Sequence, residues 1–188
     1  DVCDNDDDND GAADDVDSDD NNEFVCSDDD SDTCDDCSSG NYDTSSDGDD
    51  YDCDGTCDAG DDTLGGEVTL SFSNATETTI DIDYNLSSCQ GITGYQFSVD
   101  GVSLISASDG DMEVASANNM VVGFGLGTSL EPGQGNLASL EFFAELSGAT
   151  ISLSGILIGS PGGTEVTAYG PGAAGIPACT NFDGDDLC

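Results

Sequence analysis

The sequence predicts an all-β protein in which a β-sandwich follows an irregular, Asp-rich region. From Gly66 onward, hydrophobic and polar residues alternate with the period of two that is typical of β-strands. Residues 1–62 contain 27 of the 42 acidic residues, which marks a boundary close to residues 62–66. We therefore expect an Asp-rich repeat region over residues 1–62, a β-sandwich over residues 63–180 and a separate acidic segment over residues 181–188.

Short apolar or alternating segments, separated by turn signals, indicate the individual strands. The segments are residues 68–72, 80–86, 95–99, 121–126, 137–143 and 151–153. Glycine and proline pairs such as Asp100-Gly101 and Pro132-Gly133 separate them. Such a pattern predicts roughly eight or nine strands in two sheets. We expect Phe97, Phe124 and Phe142 to point into the core between the sheets.

The charge balance excludes several classes of function. The chain has no Lys, Arg or His to set against its 42 acidic residues, so its carboxylates must be neutralised from outside or remain in water. Except for a bridging metal, nothing could neutralise the phosphates of a nucleic acid, so we expect no nucleic-acid partner. Without a run of about 18 apolar residues we expect no membrane insertion. The usual general bases are missing, so we expect no enzyme. Glu141 and Glu145 are the alternative, as a glycosidase carboxylate pair, although a solvated strand face explains them equally.

Two loops in the Asp-rich region have the ligand spacing of a calcium site. Oxygen-bearing side chains occupy positions 1, 3, 5, 9 and 12, and glycine at position 6 permits a sharp turn. In the first loop (residues 6–17) and the third loop (residues 50–61), the predicted ligands are Asp6, Asp8, Asp10, Asp14 and Asp17, and Asp50, Asp52, Asp54, Asp58 and Asp61. The alternative is a solvated, disordered acidic tail. Such a tail would not place glycine at the sixth position twice.

The second loop (residues 28–39) is a degenerate copy of this pattern. Its predicted ligands are Asp28, Asp30, Asp32 and Asp36. Thr33 replaces the glycine at position 6, and Ser39 stands at position 12. We expect an ion here as well.

A fourth copy is split between the two ends of the sequence. Asn181, Asp183 and Asp185 supply positions 1, 3 and 5, and the pattern stops at position 8. Joining the N-terminus to it would supply Asp1 as position 9 and Asp4 as position 12. The sequence therefore indicates a unit cut within a repeat, either in a tandem array or completed by a neighbouring molecule. The alternative is a chance match in an Asp-rich chain.

Nine cysteines indicate disulfides and an oxidising compartment. We expect Cys89 and Cys179 to pair across the sandwich and Cys3 or Cys188 to bond to another molecule. Zinc bound by Cys34 and Cys37 with a second cysteine pair is the alternative.

Two family resemblances follow from these motifs. The loops at residues 1–62 and 181–188 resemble thrombospondin type 3 calcium repeats, which implies irregular chain wrapped around several Ca²⁺ ions and stapled by disulfides. The segments 91–101, 121–124 and 132–137 look like the cohesin-like sandwich domains of secreted bacterial proteins. This second resemblance implies a jelly-roll β-sandwich over residues 66–168.

Taken together, these patterns predict an extracellular or cell-surface structural protein. Because the two parts of the split loop lie at opposite ends of the chain, we expect it to assemble with itself, head to tail, into a calcium-dependent filament or array. The alternative is a cohesin-like adhesion or binding module carried on a rigid, calcium-filled spacer. Asn74 and Asn85 lie in sequons and are possible glycan sites.

Overall fold

The computed structural model describes residues 4–108 and 110–180. The chain divides into two compact units, Asp1–Leu64 and Gly65–Cys188. Within the described ranges, no helix is both long enough and apolar enough to cross a membrane.

The first unit is built from turns and disulfides. Residues 4–64 contain no helix or strand and run from one tight turn into the next. Their one cluster of buried hydrophobic residues consists of Ala12, Cys26 and Cys37. One disulfide joins Cys26 to Cys37, and a second joins Cys34 to Cys57. Because so little apolar surface is buried, cross-links rather than a core hold this chain in place.

The second unit contains ten strands among its described residues. They are β1 Glu67–Ser73, β2 Thr79–Ser87, β3 Gly94–Asp100, β4 Leu104–Ser108, β5 Glu113–Ala117, β6 Met120–Phe124, β7 Gly133–Phe142, β8 Ala149–Gly159, β9 Glu165–Tyr169 and β10 Ala174–Ile176. A single 3-10 turn, Pro161–Gly163, links β8 to β9. The predicted all-β class is therefore confirmed.

The strands form two layers that are connected through β9. One layer has the order β4-β7-β2-β1 and the other the order β8-β3-β6-β5, while β9 pairs with both β1 and β8. All of these pairings are antiparallel except that of β9 with β1, which is parallel. The short strand β10 adds to β8. The predicted β-sandwich is thus confirmed, with β9 joining its two sheets.

A single hydrophobic core fills the space between the layers. It draws alternate residues from both, including Ile80 and Ile82 of β2 and Phe97 and Val99 of β3. Phe97 and Phe142 are fully buried, as the sequence predicted.

The prediction that Phe124 is a core residue is wrong, because its side chain is 43% exposed. In β6, Val121 and Gly123 point inward, so the period of two turns Phe124 outward. Gly123 faces the ring of Tyr95, and a Cβ there would overlap that ring. The inward space at this point of the core is therefore filled by an aromatic residue from the neighbouring strand.

Candidate metal centre

The three loops of the first unit share one backbone conformation. They begin at Asp6, Asp28 and Asp50, a spacing of 22 residues. Positions 4 and 6 of every loop have positive φ angles: 66° at Asn9, 66° at Ser31, 61° at Cys53, 101° at Gly11, 80° at Thr33 and 91° at Gly55. The second loop therefore turns like the other two although Thr33 replaces the glycine.

Backbone hydrogen bonds close each loop in the same way. The position-2 amide donates to the position-9 carboxylate, from Asp7 to Asp14 (2.9 Å), Asp29 to Asp36 (2.9 Å) and Tyr51 to Asp58 (2.7 Å). The position-9 amide in turn donates to the carbonyl oxygen of the residue before the loop, which is Asn5, Ser27 or Asp49. The ninth residue is thus held against the start of its own loop.

The acids at positions 1 and 5 are oriented by later amides of the same loop. The position-6 amide donates to the position-1 carboxylate, from Gly11 to Asp6 (3.2 Å), Thr33 to Asp28 (3.3 Å) and Gly55 to Asp50 (3.0 Å). The position-7 amide donates to the position-5 carboxylate, from Ala12 to Asp10 (2.7 Å), Cys34 to Asp32 (2.8 Å) and Thr56 to Asp54 (2.8 Å). In these contacts, one oxygen of the carboxylate fixes the backbone.

Six carboxylate oxygens of the first unit are buried and accept no hydrogen bond from any described residue. They are Asp6 Oδ1, Asp8 Oδ2, Asp10 Oδ2, Asp36 Oδ1, Asp47 Oδ2 and Asp52 Oδ2. Asp10, Asp36 and Asp52 are at most 2% exposed. Burying a carboxylate oxygen without a partner lowers the stability of the fold. The cost is roughly several kcal/mol, as for other unpaired buried charges. A bound cation would compensate this cost.

In the first and second loops, carboxylate oxygens lie close enough together to share one cation. Carboxylate oxygens of Asp6, Asp8 and Asp10 lie within 4.8 Å of one another. Oxygens of Asp28, Asp30 and Asp32 form a similar group in the second loop. Charges of one sign at such distances repel unless a cation lies between them.

Electrostatics confirm this crowding in the first and third loops. Burial raises the pKa of Asp10, and the charges of Asp8, Asp17 and Asp6 raise it further, against the lowering effect of the Ala12 hydrogen bond. Burial likewise raises the pKa of Asp52. There the charges of Asp54, Asp61 and Asp50 raise it further, while the hydrogen bond from the Asp54 amide lowers it. In both loops, the acids at positions 1, 3, 5 and 12 therefore lie close enough together for their charges to interact.

The donor set fits a hard divalent cation. Every candidate ligand is a carboxylate oxygen, and Ca²⁺ takes six to eight oxygens in flexible geometry. The zinc alternative does not fit, because Cys34, Cys37 and Cys57 are engaged in disulfides. Cys53, Cys89 and Cys179 are also disulfide-bonded.

Several predicted residues stay predictions. Asp1, Asn181, Asp183 and Asp185 lie outside the described residues, as do Cys3 and Cys188. Asp4 is exposed, and its carboxylate accepts a hydrogen bond of 3.1 Å from the Asn5 amide. The sequon residues Asn74 and Asn85 are both exposed.

One carboxylate near the second loop is absent from the ligand set that the sequence predicts. Asp47 lies in the linker that leads to the third loop, and its carboxylate lies within 4.8 Å of those of Asp30 and Asp36. No position of the twelve-residue pattern reaches it. The one local signal is the Asp47-Gly48 pair, which the sequence presents as a turn.

Comparisons with known proteins bear on the sandwich. No family model matches the sequence, and no curated protein matches it. A type I cohesin–dockerin complex from Clostridium thermocellum is similar at 10% identity and a TM-score of 0.48, over 59% of this chain and 92% of that chain. The cohesin module of a Clostridium perfringens family 33 glycoside hydrolase is similar at 10% identity and a TM-score of 0.47, over 60% and 96%. A non-cellulosomal cohesin from Archaeoglobus fulgidus is similar at 15% identity and a TM-score of 0.43, over 60% and 92%.

Proposed function

We propose that the first unit binds Ca²⁺ in its three Asp-rich loops and that the chain is a non-catalytic structural protein of the cell exterior. The observation that carries this proposal is the set of buried, unpartnered carboxylate oxygens in a chain without any cationic side chain. Calcium, when bound, supplies the missing positive charge. Backbone amides hold one carboxylate oxygen and leave the other without a partner in Asp6, Asp10, Asp36 and Asp52.

The calcium proposal is tested with Asp10→Asn on the full chain. An Asn oxygen can still accept the Ala12 hydrogen bond, so the substitution removes charge while it preserves the turn. We expect the affinity of one calcium site, measured by isothermal titration calorimetry, to fall by about 10- to 100-fold. Asp15→Asn is the matched control, because Asp15 is exposed and lies outside the predicted ligand set. A wild-type chain that binds no calcium would refute the proposal.

We further propose that copies of the chain assemble head to tail through the split fourth loop. The ligand patterns at residues 181–185 and at Asp1 and Asp4 complement each other in spacing. Without calcium, two acidic ends repel, so assembly depends on the ion. Disulfide bonding in the first unit and in the sandwich agrees with an extracellular location.

The assembly proposal is tested by electron microscopy and sedimentation velocity in millimolar calcium. We expect filaments or arrays that disassemble in excess chelator under reducing conditions. Asp183→Asn combined with Asp185→Asn should prevent assembly and leave calcium binding by the three internal loops unchanged. Assemblies that survive the chelator, or that form equally well from this variant, would contradict the head-to-tail proposal.

A second candidate function is a binding module, favoured by an exposed apolar surface on the sandwich. Leu157 of β8, Val122 and Phe124 of β6 and Met120 of β6 lie on the outer side of the layer β8-β3-β6-β5. Leu157 is 52% exposed, and Phe124 and Met120 are more than 40% exposed. Such a face suits a separate protein that presents complementary apolar side chains.

This candidate function predicts that the chain is a monomer in millimolar calcium and binds a separate protein partner. Phe124→Asp combined with Leu157→Asp should abolish binding of that partner. Phe143→Asp is the control, because Phe143 is exposed and follows the end of β7. If both variants bind alike, the partner does not use this face.

A further inference from the structure

The second loop lacks an acid at position 12, and the residue at that position does not replace it. Ser39 is exposed, and its hydroxyl donates a hydrogen bond of 3.2 Å to the carbonyl oxygen of Asn41. In the other two loops this position is held by Asp17 and Asp61. The second loop therefore needs another oxygen to complete a site of the same kind.

Asp47 places such an oxygen in the second loop. Its side chain is only 7% exposed, and its Oδ2 accepts no hydrogen bond from the described residues. The fully buried Asp36 has the same feature at its Oδ1. Ligand oxygens of Asp30, Asp36 and Asp47 lie within 4.8 Å of one another. Two buried carboxylates, each with an unpartnered oxygen, thus lie close together.

The fold holds Asp47 there through its neighbours. Gly48 lies against the Cys34–Cys57 disulfide, and a Cβ at this glycine would overlap both sulfur atoms. The hydroxyl of Ser38 donates to the backbone carbonyl oxygen of Asp47. The linker is therefore fixed to the second loop from both sides, which makes the position of Asp47 a consequence of packing.

We propose that Asp47 is the missing carboxylate ligand of the second loop, so that one cation binds both this loop and the linker that follows it. This inference rests on the proposed calcium binding. The compensation is specific to this loop. With the 22-residue spacing, the residue equivalent to Asp47 in the preceding linker is Val25, and the first loop has its own acid, Asp17.

A cation at this site would link the second loop to the start of the third. The Cys34–Cys57 disulfide joins the same two parts covalently. The amide of Cys57 also donates to the carbonyl oxygen of Asp32 at 2.7 Å. The second site thus includes a ligand from the linker, whereas the predicted ligands of the first and third sites lie within single loops.

Terbium, a luminescent substitute for calcium, can report on the sites close to Tyr42. The Tyr42 hydroxyl donates to Asp29 of the second loop at 2.8 Å, so its ring is placed to sensitise an ion bound there. Tyr51 lies in the third loop and would sensitise that site. The Tyr42 amide also donates to the carbonyl oxygen of Asp10 in the first loop. The full chain carrying both Tyr51→Phe and Asp10→Asn therefore restricts the tight-binding terbium signal of the acidic unit to the second loop.

In this background, Asp47→Asn should weaken Tyr42-sensitised terbium binding by about tenfold or more. Asp49→Asn is the matched control. It removes the same charge, but from an exposed side chain that lies two residues after Asp47. Hydrogen exchange of the calcium-loaded variants checks that the other loops stay folded. Equal affinities for the two variants would overturn the role of Asp47.

A second arm separates the two ways of completing the loop. Ser39→Asp restores the acid that the twelve-residue pattern requires, and we add it to Asp47→Asn. If Asp47 is the ligand, Ser39→Asp should not rescue binding, since residue 39 points to solvent. Full rescue would show that position 12 completes the site and would overturn the inference. If the wild-type chain binds neither calcium nor terbium, the proposed function itself fails.

Discussion

The two units of this chain solve the problem of folding with different interactions. The sandwich buries 22 hydrophobic side chains in one cluster, whereas the described part of the first unit buries three in its cluster. The first unit instead buries Asp10, Asp36, Asp47 and Asp52. Hydrophobic burial stabilises the sandwich under any ionic condition, but buried like charges oppose folding until a cation compensates them. The comparison therefore predicts that only the first unit depends on a bound cation for its stability.

Calcium removal should separate the two units most clearly. We expect excess chelator to abolish the hydrogen-exchange protection of residues 4–64, because the paired carboxylates then repel without compensation. The strands of the sandwich should remain protected. Exchange measured by mass spectrometry on the full chain, with and without calcium, checks both halves. Equal protection of the first unit in both states would remove the basis of the comparison.

The reverse separation is expected for Phe97→Ala. Phe97 is fully buried in the sandwich core, so its truncation should lower the free energy of unfolding of the sandwich by about 3–5 kcal/mol. Calcium stoichiometry should not change. Chemical denaturation measures the free energy of unfolding, and calorimetry measures the calcium stoichiometry. Phe143→Ala, at a side chain that is 61% exposed, is the control and should cost much less.

A smaller effect should come from relief of backbone strain in the second loop. Thr33 has a φ of 80°, a conformation that disfavours a β-branched residue by about 1–2 kcal/mol. Thr33→Gly should therefore stabilise the calcium-loaded first unit by up to about 1 kcal/mol, after the larger entropy loss of glycine on folding is counted. Gly11→Thr, at a φ of 101°, is the opposite change and should destabilise it. Thermal unfolding of the two variants in calcium would show opposite shifts; shifts of the same sign would contradict a common loop conformation.

The smallest expected effect concerns Tyr42. Its hydrogen bond to Asp29, with burial and the nearby charge of that carboxylate, raises the pKa of Tyr42 to about 12. The folded-state pKa is above the usual value, so this contact stabilises the fold below about pH 10, and that contribution is lost as the pH rises through about 12. The difference between the ultraviolet titration curves of the wild-type chain and of the Tyr42→Phe variant gives the pKa of Tyr42. Asp29→Asn should lower it towards 10.

Much of each unit could be predicted because the deciding interactions are local. The alternation around Ile80, Ile82 and Phe97 places residues on one face of a strand whatever the strand packs against. In the loops, a carboxylate and the amide that orients it are separated by two to seven residues, as for Asp14 and Asp7. Spacing alone therefore predicted both the sandwich and the three Asp-rich loops.

The remaining features were decided by contacts between distant residues. Phe124 points outward because Gly123 makes room for Tyr95 of the neighbouring strand, which no pattern within β6 indicates. The disulfide partners Cys34 and Cys57 are 23 residues apart in sequence.

By itself, the sequence determined the class of each unit and the local geometry of its turns, since short-range spacing sets which side chains share a face. Tertiary structure alone decided which cysteines pair and that Asp47 joins the second loop. Those contacts depend on how the linker packs against a disulfide, and packing at that range leaves no periodic trace in the sequence.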